Sequence, residues 1–251
     1  MRRPGTVLDQ TGHRPYPLPR GPWIMAQRWH DLLFAHWEVS PSALRRVVPP
    51  ALELDLYGGL AWIGIIPFTM SGVRLRGTPS LPGLSAFPEL NVRTYVRYRD
   101  LPGVYFFSLN AGNRLAVAVA RRWYRLPYFH ARMEVRRRGE ECEYRSRRVH
   151  QGAAPAELEV RYRPTGETYL PGPGSLDHWL VERYRLLTVH EGRVFLAEIH
   201  HPAWRLRPAV AEFRINTMTE GLGIGLPPAG LRLAFAEEQE VLVWPPTSVP
   251  A

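Results

Sequence analysis

The stretch Phe87-Pro88-Glu89-Leu90-Asn91-Val92-Arg93-Thr94-Tyr95-Val96 alternates between polar and apolar side chains. In a β-strand, this alternation gives one polar face and one apolar face. The polar face carries Glu89, Asn91, Arg93 and Tyr95, and the apolar face carries Leu90, Val92 and Val96. Residues on one face follow each other at about 7 Å, so an acid, an amide, a guanidinium and a phenol form one polar row. The pattern alone favours the solvent-exposed face of an antiparallel sheet.

Similar segments, rich in β-branched and aromatic residues and separated by Gly and Pro turns, continue along the chain. Strands are predicted at Trp29–Val39, Leu60–Pro67, Leu90–Tyr98, Val104–Leu109, around Leu158, Val160 and Tyr162, and at Arg185–Val189 and Val194–His200. A hairpin is predicted over Ala131–Val149, with its turn at Arg138-Gly139-Glu140 and with Cys142 in the core. This density of strands predicts a mainly β (α+β) fold and argues against a doubly wound sheet.

Helices are few and short in the sequence pattern. Ser40-Pro41 supplies an N-cap and a proline at the first helical position, and Pro49-Pro50 ends the helix predicted over Pro41–Val48. Ser175 caps a second helix, in which the residues at helical spacing are Leu176, Trp179, Leu180, Arg183 and Tyr184. Leu115–Tyr124 fits a strand through its Ala/Val alternation or a short helix through its alanine content, and we prefer the helix.

Length and composition predict one domain, because 251 residues, of which 45% are hydrophobic and 22% charged, bury a sizeable core. Residues 1–22 contain five prolines among mostly polar residues and predict a flexible, Pro/Arg-rich N-terminal arm. The domain itself is predicted over residues 23–245, and residues 246–251 are predicted to be a frayed C-terminus.

All 32 basic residues of the chain are arginines. Without a lysine there is no side-chain amine for a Schiff base, for pyridoxal phosphate or for a Walker-type phosphate site. The net charge of +9 would suit a nucleic acid, yet the densest run, Arg132–Arg148, interleaves seven arginines with four glutamates. That pattern is typical of a salt-bridged hairpin, so a nucleic-acid partner is not expected.

Cys142 is the single cysteine, so the chain forms no internal disulfide, which fits a reducing compartment. Residues 1–20 contain no apolar run typical of a secretion signal. The longest apolar stretch, Leu60–Phe68, is too short to cross a membrane. We therefore expect a soluble, cytoplasmic protein with no membrane partner.

Motifs for metals and common cofactors are absent from the sequence. The nine histidines show no H-x-H or H-x-x-x-H spacing, so no metal site is expected. His36 and His130 are interpreted as hydrogen-bonded strand histidines. Gly221-Leu222-Gly223-Ile224-Gly225 precedes Pro227-Pro228 and not a helix, so it does not predict a dinucleotide site. No cofactor is predicted.

Several segments resemble one known family. They are Trp29-His30-Asp31-Leu32, Val48-Pro49-Pro50, Glu89–Val96, Arg121–Tyr128, Ser175–Leu180, Glu182-Arg183-Tyr184 and His201–Leu206. Through them the chain resembles the YqjF-like proteins, a domain of unknown function placed in the acetoacetate-decarboxylase-like superfamily. The fold that this resemblance implies is an antiparallel β-sheet curled into a cone or barrel around a central cavity, with a few short peripheral helices.

In such a barrel, alternate residues of a strand point inward, so the polar row becomes a candidate site. The resemblance implies that Glu89 matches an interior glutamate of the decarboxylases. It also implies that Leu126-Pro127-Tyr128-Phe129 matches a decarboxylase segment in which a proline precedes two lysines, the first of which forms the Schiff base. Tyr128 stands in that place, and a phenol donates a hydrogen bond but cannot form an iminium. Decarboxylation by that mechanism is therefore excluded.

Two functions remain open from the sequence. In a binding module, Arg93 anchors a small carboxylate or other small anion, Asn91 and Tyr95 orient it, and Tyr128 closes one wall. In an enzyme that acts on a small oxo-acid without covalent amine chemistry, Glu89 is the catalytic acid or base and Arg93 holds the substrate carboxylate. A raised pKa of Glu89 would favour the enzyme, whereas a close Arg93 would lower that pKa and leave a structural ion pair.

Overall fold

Strands form most of the regular secondary structure of the chain, as the alternating segments predict. The computed structural model describes residues 7–81, 83 and 85–249, and three short α-helices lie wholly within this part. The strands are β1 (Met25–Val39), β2 (Glu53–Leu54), β3 (Ala61–Leu75), β4 (Phe87–Tyr98), β5 (Leu101–Ala111), β6 (Tyr128–Arg138), β7 (Glu141–Arg148), β8 (Glu157–Pro164), β9 (Arg185–His190), β10 (Arg193–His200), β11 (Arg207–Asn216), β12 (Leu231–Val243) and β13 (Thr247–Ser248). The helices are α1 (Pro41–Arg45), α2 (Arg114–Tyr124) and α3 (Leu176–Val181).

Nine strands close into a barrel in the order β5, β6, β7, β8, β11, β12, β1, β3, β4 and back to β5. The predicted fold class, a mainly β barrel with a few short helices, is confirmed. The expected uniformly antiparallel sheet is not, because Leu109–Ala111 of β5 pairs in parallel with Tyr128–His130 of β6. The physical reason is α2, which carries the chain back to the same end of the sheet, as crossover helices do between parallel strands.

A second, smaller ring shares a wall with this barrel. Val104 of β5 pairs with Leu186 of β9, and the end of β10 pairs with the end of β12. Strands β12, β1, β3, β4 and β5, which we call the shared wall, therefore have an interior on each side. One side faces β7 and β8 and is filled by side chains, and we call it the packed interior. The other side faces β9, β10 and α3, and we call it the cavity interior.

Alternate side chains of strand β4 point into these two interiors. Leu90 and Val92 are fully buried among the aliphatic side chains of the packed interior. Glu89, Asn91 and Arg93 point to the opposite side, because successive residues of a strand alternate between its faces. The polar row therefore lies inside the protein, and the solvent-exposed alternative for this strand is wrong.

The predicted hairpin is formed by β6 and β7, with Gly139 at a positive φ of 62° in its turn. A positive φ is the conformation that glycine adopts without the steric cost of a Cβ atom. Val135 pairs with Tyr144, and Arg137 pairs with Cys142. Cys142 is 1% exposed, which confirms its predicted place in the core.

The three helices bear out the sequence pattern except at their ends. α2 confirms the helical alternative for Leu115–Tyr124. α1 ends at Arg45, short of the predicted Val48, and the Arg45 guanidinium bonds to carbonyls of the following turn, including that of Leu52 at 2.6 Å. Ser175 caps α3 through a 3.2 Å hydrogen bond from the His178 amide, but the helix ends at Val181.

Residues 7–22 differ from the expected free arm, because they pack against the domain. Val7 is 2% exposed and lies in a cluster with Trp23, Ala26, Leu242 and Trp244. The Arg14 guanidinium donates to the Ile199 carbonyl at 2.9 Å and lies 4.2 Å from the Tyr184 ring centroid. Apolar residues between the prolines supply contacts that the composition of the segment did not indicate. Residues 1–6 lie outside the described part of the chain.

The C-terminal segment also makes one ordered contact. Thr247 and Ser248 form β13, which pairs with Leu196 and Phe195 of β10. The predicted frayed end therefore does not begin at residue 246 in this structure. Residues 250 and 251 lie outside the described part.

Candidate functional site

A cavity of about 340 Å³ lies in the cavity interior, between the shared wall and the β9–β10 hairpin. Its walls are mostly apolar and include Phe34, Phe68, Phe106 and Trp204. Four of the five residues proposed from the sequence line it, namely Glu89, Asn91, Arg93 and Tyr128. An apolar cavity with a few convergent polar groups is the usual form of a small-molecule site.

Glu89 is the most deeply buried acid of this site, at 4% exposure. Burial raises the pKa of its carboxyl to about 8, because the low-dielectric surroundings disfavour the charged form. Hydrogen bonds from Tyr128, whose hydroxyl donates to Oε2 at 3.1 Å, and from the Asn91 side chain offset part of this increase. At neutral pH the carboxyl is therefore mostly protonated.

Arg93 does not form the structural ion pair with Glu89 that a close approach would have produced. Its guanidinium Nη2 donates to the Leu180 carbonyl at 3.1 Å, so the side chain extends toward α3 and away from Glu89. The Arg93 Nε is buried without a hydrogen-bond partner among the described residues, as is the Asn91 Oδ1. Buried polar groups without partners are uncommon, so both atoms are candidates for a contact with a ligand.

Tyr128 enters the cavity at the start of β6, where the parallel pairing with Leu109 fixes its position. Burial and the neighbouring Glu89 raise the pKa of its phenol well above the usual range. The hydroxyl therefore stays protonated and acts as a hydrogen-bond donor to the carboxyl. In the place for which the resemblance implies a lysine, this chain has a neutral donor.

Tyr95, the fifth residue proposed, is not among the described residues that line the cavity. It is 1% exposed, and its hydroxyl donates to the Leu180 carbonyl at 2.8 Å and bonds to His36 Nε2 at 2.7 Å. Because the single phenolic proton goes to Leu180, His36 is the donor in the second bond, which defines its neutral Nε2–H form. Burial lowers the pKa of His36 well below its usual range, in agreement with that form. Tyr95 therefore holds α3 on the sheet.

Arg183 is a cavity residue that the sequence analysis did not propose. Its Nη1 donates to Asp55 Oδ2 at 2.7 Å, and its guanidinium carbon lies 4.2 Å from the centre of the Trp179 ring. Its Nη2 is buried without a partner among the described residues. The sequence contains a feature that could have identified Arg183, because this arginine lies on the apolar face of the predicted helix.

The far end of the cavity is bounded by His201, which is 1% exposed and stacks on the Tyr184 ring at 4.6 Å. Burial lowers the pKa of His201 to about 3, so the ring is neutral. The His201 carbonyl bonds to His13 Nε2 at 2.8 Å. The N-terminal segment thus covers this end of the cavity interior from outside.

Two other properties of the described residues bear on function. None of their helices is long and apolar enough to span a membrane. Within the same residues, no group of three or more His, Cys, Asp or Glu side chains is arranged to hold a metal ion.

The fold is similar to that of several solved structures, including acetoacetate-decarboxylase-like proteins. The chain aligns with the enduracididine biosynthesis enzyme MppR complexed with pyruvate at a TM-score of 0.61 and 12% identity, over 93% of both chains. An acetoacetate-decarboxylase-like enzyme from Sphingomonas wittichii RW1 gives 0.60 at 11% identity, over 95% of this chain and 98% of that one. Acetoacetate decarboxylase from Legionella pneumophila gives 0.58 at 14% identity, over 98% and 95%. At these identities the likeness defines the fold alone.

The chain belongs to the family of uncharacterized conserved proteins called domain of unknown function 2071, whose model matches residues 26–240. It is also 47% identical over 228 residues to the uncharacterized protein YqjF of Bacillus subtilis strain 168, which covers 91% of this chain and 93% of that protein. The family resemblance carried by the sequence segments is confirmed.

Proposed function

We propose that the protein binds a small organic acid that carries a carbonyl group, with the acid held inside the barrel cavity. The observation that carries the proposal is the pair of guanidinium groups, Arg93 and Arg183, that line one cavity and each keep a buried nitrogen without a described partner. A guanidinium N–H is a strong donor to carboxylate. The two unpaired nitrogens are the proposed anchor for the ligand carboxylate.

The charge of this end of the cavity supports an anionic ligand. Arg183 is paired with Asp55, whereas no acidic side chain of the described residues forms an ion pair with Arg93. Glu89 is mostly protonated at neutral pH. The two arginines and Asp55 therefore leave one net positive charge, which one carboxylate neutralises. A buried unpaired charge is costly, so its neutralisation by a ligand stabilises the complex.

The size of the cavity and the spacing along β4 limit the ligand further. Glu89 and Arg93 are four residues apart, which separates their Cα atoms by about 13 Å at the usual strand rise. The walls between them are apolar and aromatic. The proposed ligand therefore has its carboxylate at Arg93 and Arg183, an apolar body, and a carbonyl or hydroxyl near Glu89 and Tyr128. The enzyme MppR, which has a similar fold, is complexed with pyruvate, and this supports an oxo-acid as the ligand class.

A second candidate function is proton transfer to and from such a ligand by Glu89. The specific observation in its favour is the pKa of about 8, which places both forms of the carboxyl within reach of physiological pH. The ionised carboxylate takes a proton from the carbon beside the ligand carbonyl, and Tyr128 donates a hydrogen bond to the enolate oxygen. The same proton, or one exchanged with water, then returns to that carbon. No lysine is present to form an imine, so the step is non-covalent.

Binding is tested by thermal unfolding of the chain with a series of oxo acids in which an apolar chain of increasing length separates the carboxylate from the carbonyl. A bound acid at a hundred times its dissociation constant adds about 2.7 kcal/mol to the free energy of unfolding. We expect this gain in the protein and in Arg97→Leu, which removes an exposed arginine of the same strand. Arg93→Leu is expected to lose the gain, measured against its own ligand-free midpoint. An equal gain in Arg93→Leu, or none with any acid, contradicts the proposal.

Proton transfer is tested separately, by deuterium exchange at the carbon beside the carbonyl of a bound acid in D₂O, followed by proton NMR. We expect the exchange rate to rise with pH through about 8, because the base must be ionised, and to be lost in Glu89→Gln. Binding without exchange would leave the protein as a binding module. Unchanged exchange in Glu89→Gln would exclude Glu89 as the base.

A further inference from the structure

A second concave surface lies outside the barrel, between α2, the start of β6 and the end of β9. It encloses about 1210 Å³, and its walls carry Arg114, Arg121, Arg122, Arg125, Tyr105 and Phe129. We call it the arginine groove. The segment that joins α2 to β6 separates it from the barrel cavity, since Leu126 lines both spaces, Tyr128 the cavity, and Pro127 and Phe129 the groove. The two spaces are therefore distinct.

The four arginines of the groove have no acidic counterparts. No aspartate or glutamate is among the described residues that line it, and none of the four forms an ion pair with another described residue. The sequence gives the same picture, because five arginines and no acidic residue lie between Asp100 and Glu134. The groove therefore carries about four uncompensated positive charges, counted at one per guanidinium.

Several arginines outside the groove are neutralised by ion pairs. On the sheet formed by β6, β7, β8 and β11, the ion pairs include Arg136 with Glu134 at 2.6 Å and Arg145 with Glu159 at 3.1 Å. The predicted hairpin thus carries ion pairs, but among the described residues they lie within β6 or join β7 to β8, and none joins β6 to β7. Because these pairs interrupt the positive surface beyond the groove, it does not form the long basic track that a nucleic-acid backbone follows.

Two of the groove arginines are also held in place. The Arg121 Nη1 donates to the Tyr128 carbonyl at 2.7 Å. Arg125 has a positive φ of 53°, which non-glycine residues adopt at a cost, and its guanidinium carbon lies 4.4 Å from the Phe195 ring centroid. These contacts reduce the freedom that the side chains lose when a ligand binds.

We propose that the arginine groove binds the phosphate groups of a nucleotide-sized small molecule that carries two or more phosphates. Guanidinium groups bond phosphate oxygens in pairs, and four uncompensated charges match a diphosphate or triphosphate better than a single carboxylate. The volume of the groove accommodates a ligand larger than the acid proposed for the barrel cavity. This site is independent of the cavity and of its function.

The proposal is tested by isothermal titration calorimetry of the full chain with ADP, AMP, inorganic phosphate and citrate at one ionic strength. We expect ADP to bind more tightly than AMP or phosphate, and citrate to bind more weakly than ADP despite its similar charge. Arg114→Ser/Arg122→Ser is expected to lower the affinity for ADP by about tenfold or more. Arg136→Ser/Arg214→Ser removes the same charge from exposed positions outside the groove and is expected to change it by less than about threefold.

Three results would overturn the proposal. An equal loss in both double variants would mean that net charge, and not the groove, attracts the nucleotide. Absence of binding by all the phosphate ligands would remove the site. Binding of a 20-nucleotide single-stranded DNA that is much tighter than binding of ADP, and sensitive to the same arginines, would assign the groove to nucleic acid. Melting curves of both double variants verify that the exposed substitutions leave the fold intact.

Discussion

The two faces of β4 lie against two different interiors. On the packed side, Leu90 and Val92 are completely buried, and the Tyr144 hydroxyl donates to the backbone carbonyl of Glu89 at 2.7 Å. On the cavity side, Glu89 is buried without an ion-pair partner among the described residues, and Asn91 keeps an unbonded oxygen. One strand therefore stabilises the fold with one face and keeps polar groups available with the other.

This difference shows that the packed face of β4 stabilises the fold and that the cavity face reduces its stability. A close-packed interior gains dispersion and hydrophobic free energy, whereas a cavity and a buried carboxyl each reduce stability. Because successive side chains of a strand point to opposite faces, one regular strand can both pack the core and line the cavity. Substitutions on neighbouring residues of β4 should consequently have opposite or very different effects.

The largest expected effect is on the packed face. Leu90→Ala should lower the free energy of unfolding by about 2–5 kcal/mol, because it removes buried methyl groups and leaves a void in a filled core. Asn91→Ala, one residue away, should lower it by only about 0.5–1.5 kcal/mol, because that side chain borders an existing cavity and its loss removes one hydrogen bond, to Glu89. Denaturant unfolding of both variants measures the difference. Equal losses would mean that the cavity face is as tightly packed as the other.

The next effect is the pH dependence of stability that Glu89 produces. Its folded pKa of about 8 lies above the ordinary value of 4.5 for a glutamate, so the folded state binds a proton that the unfolded state releases between these values. Its contribution to stability is present at low pH and is lost as pH rises through about 8, at about 1.4 kcal/mol per pH unit. Glu89→Gln stays neutral in both states and should lack this loss.

The clearest window for this measurement is pH 6.5 to 8. Below pH 6.5, His200 and His201 have the opposite effect on stability, since their folded pKa values are about 4 and about 3. As the pH falls, the unfolded state binds protons on these histidines before the folded state does, so the protein loses stability. Between pH 6.5 and 8, the free energy of unfolding of the protein should fall by about 2 kcal/mol more than that of Glu89→Gln. Glu53→Gln, at an exposed position, serves as the charge control. Parallel pH profiles of the protein and Glu89→Gln would show that the carboxyl is ionised in the fold at neutral pH.

Much of the fold follows from local patterns, and the parts that do not follow depend on long-range closure. The alternation in β4 and the cap at Ser175 predict elements that the structure contains. The second ring could not be predicted, because it depends on one pairing between Val104 and Leu186 and on a short contact between β10 and β12. Such pairings join segments far apart in the sequence and leave no periodic signal.

The candidate site was predicted in part for the same reason. The strand period placed Glu89, Asn91 and Arg93 on one face, and the structure brings all three into one cavity. Tyr95 obeys the same period but lies under α3, whose packing is a tertiary property. Arg183 reaches the cavity only because α3 ends at Val181 and the chain turns inward. The two-residue alternation of a strand therefore predicts the face on which a side chain lies, but it does not predict which element covers that face.

The smallest expected effect isolates the hydrogen bond at the inner end of the cavity. Tyr128→Phe removes the hydroxyl that donates to Glu89, and that donation lowers the pKa of the carboxyl, so the pKa should rise further in the variant. Stability at pH 6.5 should fall by only about 0.5–1.5 kcal/mol, the usual net value of one hydrogen bond. A ¹³C NMR titration of the Glu89 carboxyl measures the pKa directly. Tyr124→Phe, which removes a hydroxyl from another cavity residue, should leave the midpoint in place. An absent shift in Tyr128→Phe would mean that burial alone sets the pKa of Glu89. A downward shift would mean that the phenol favours the protonated carboxyl, and either result contradicts the prediction.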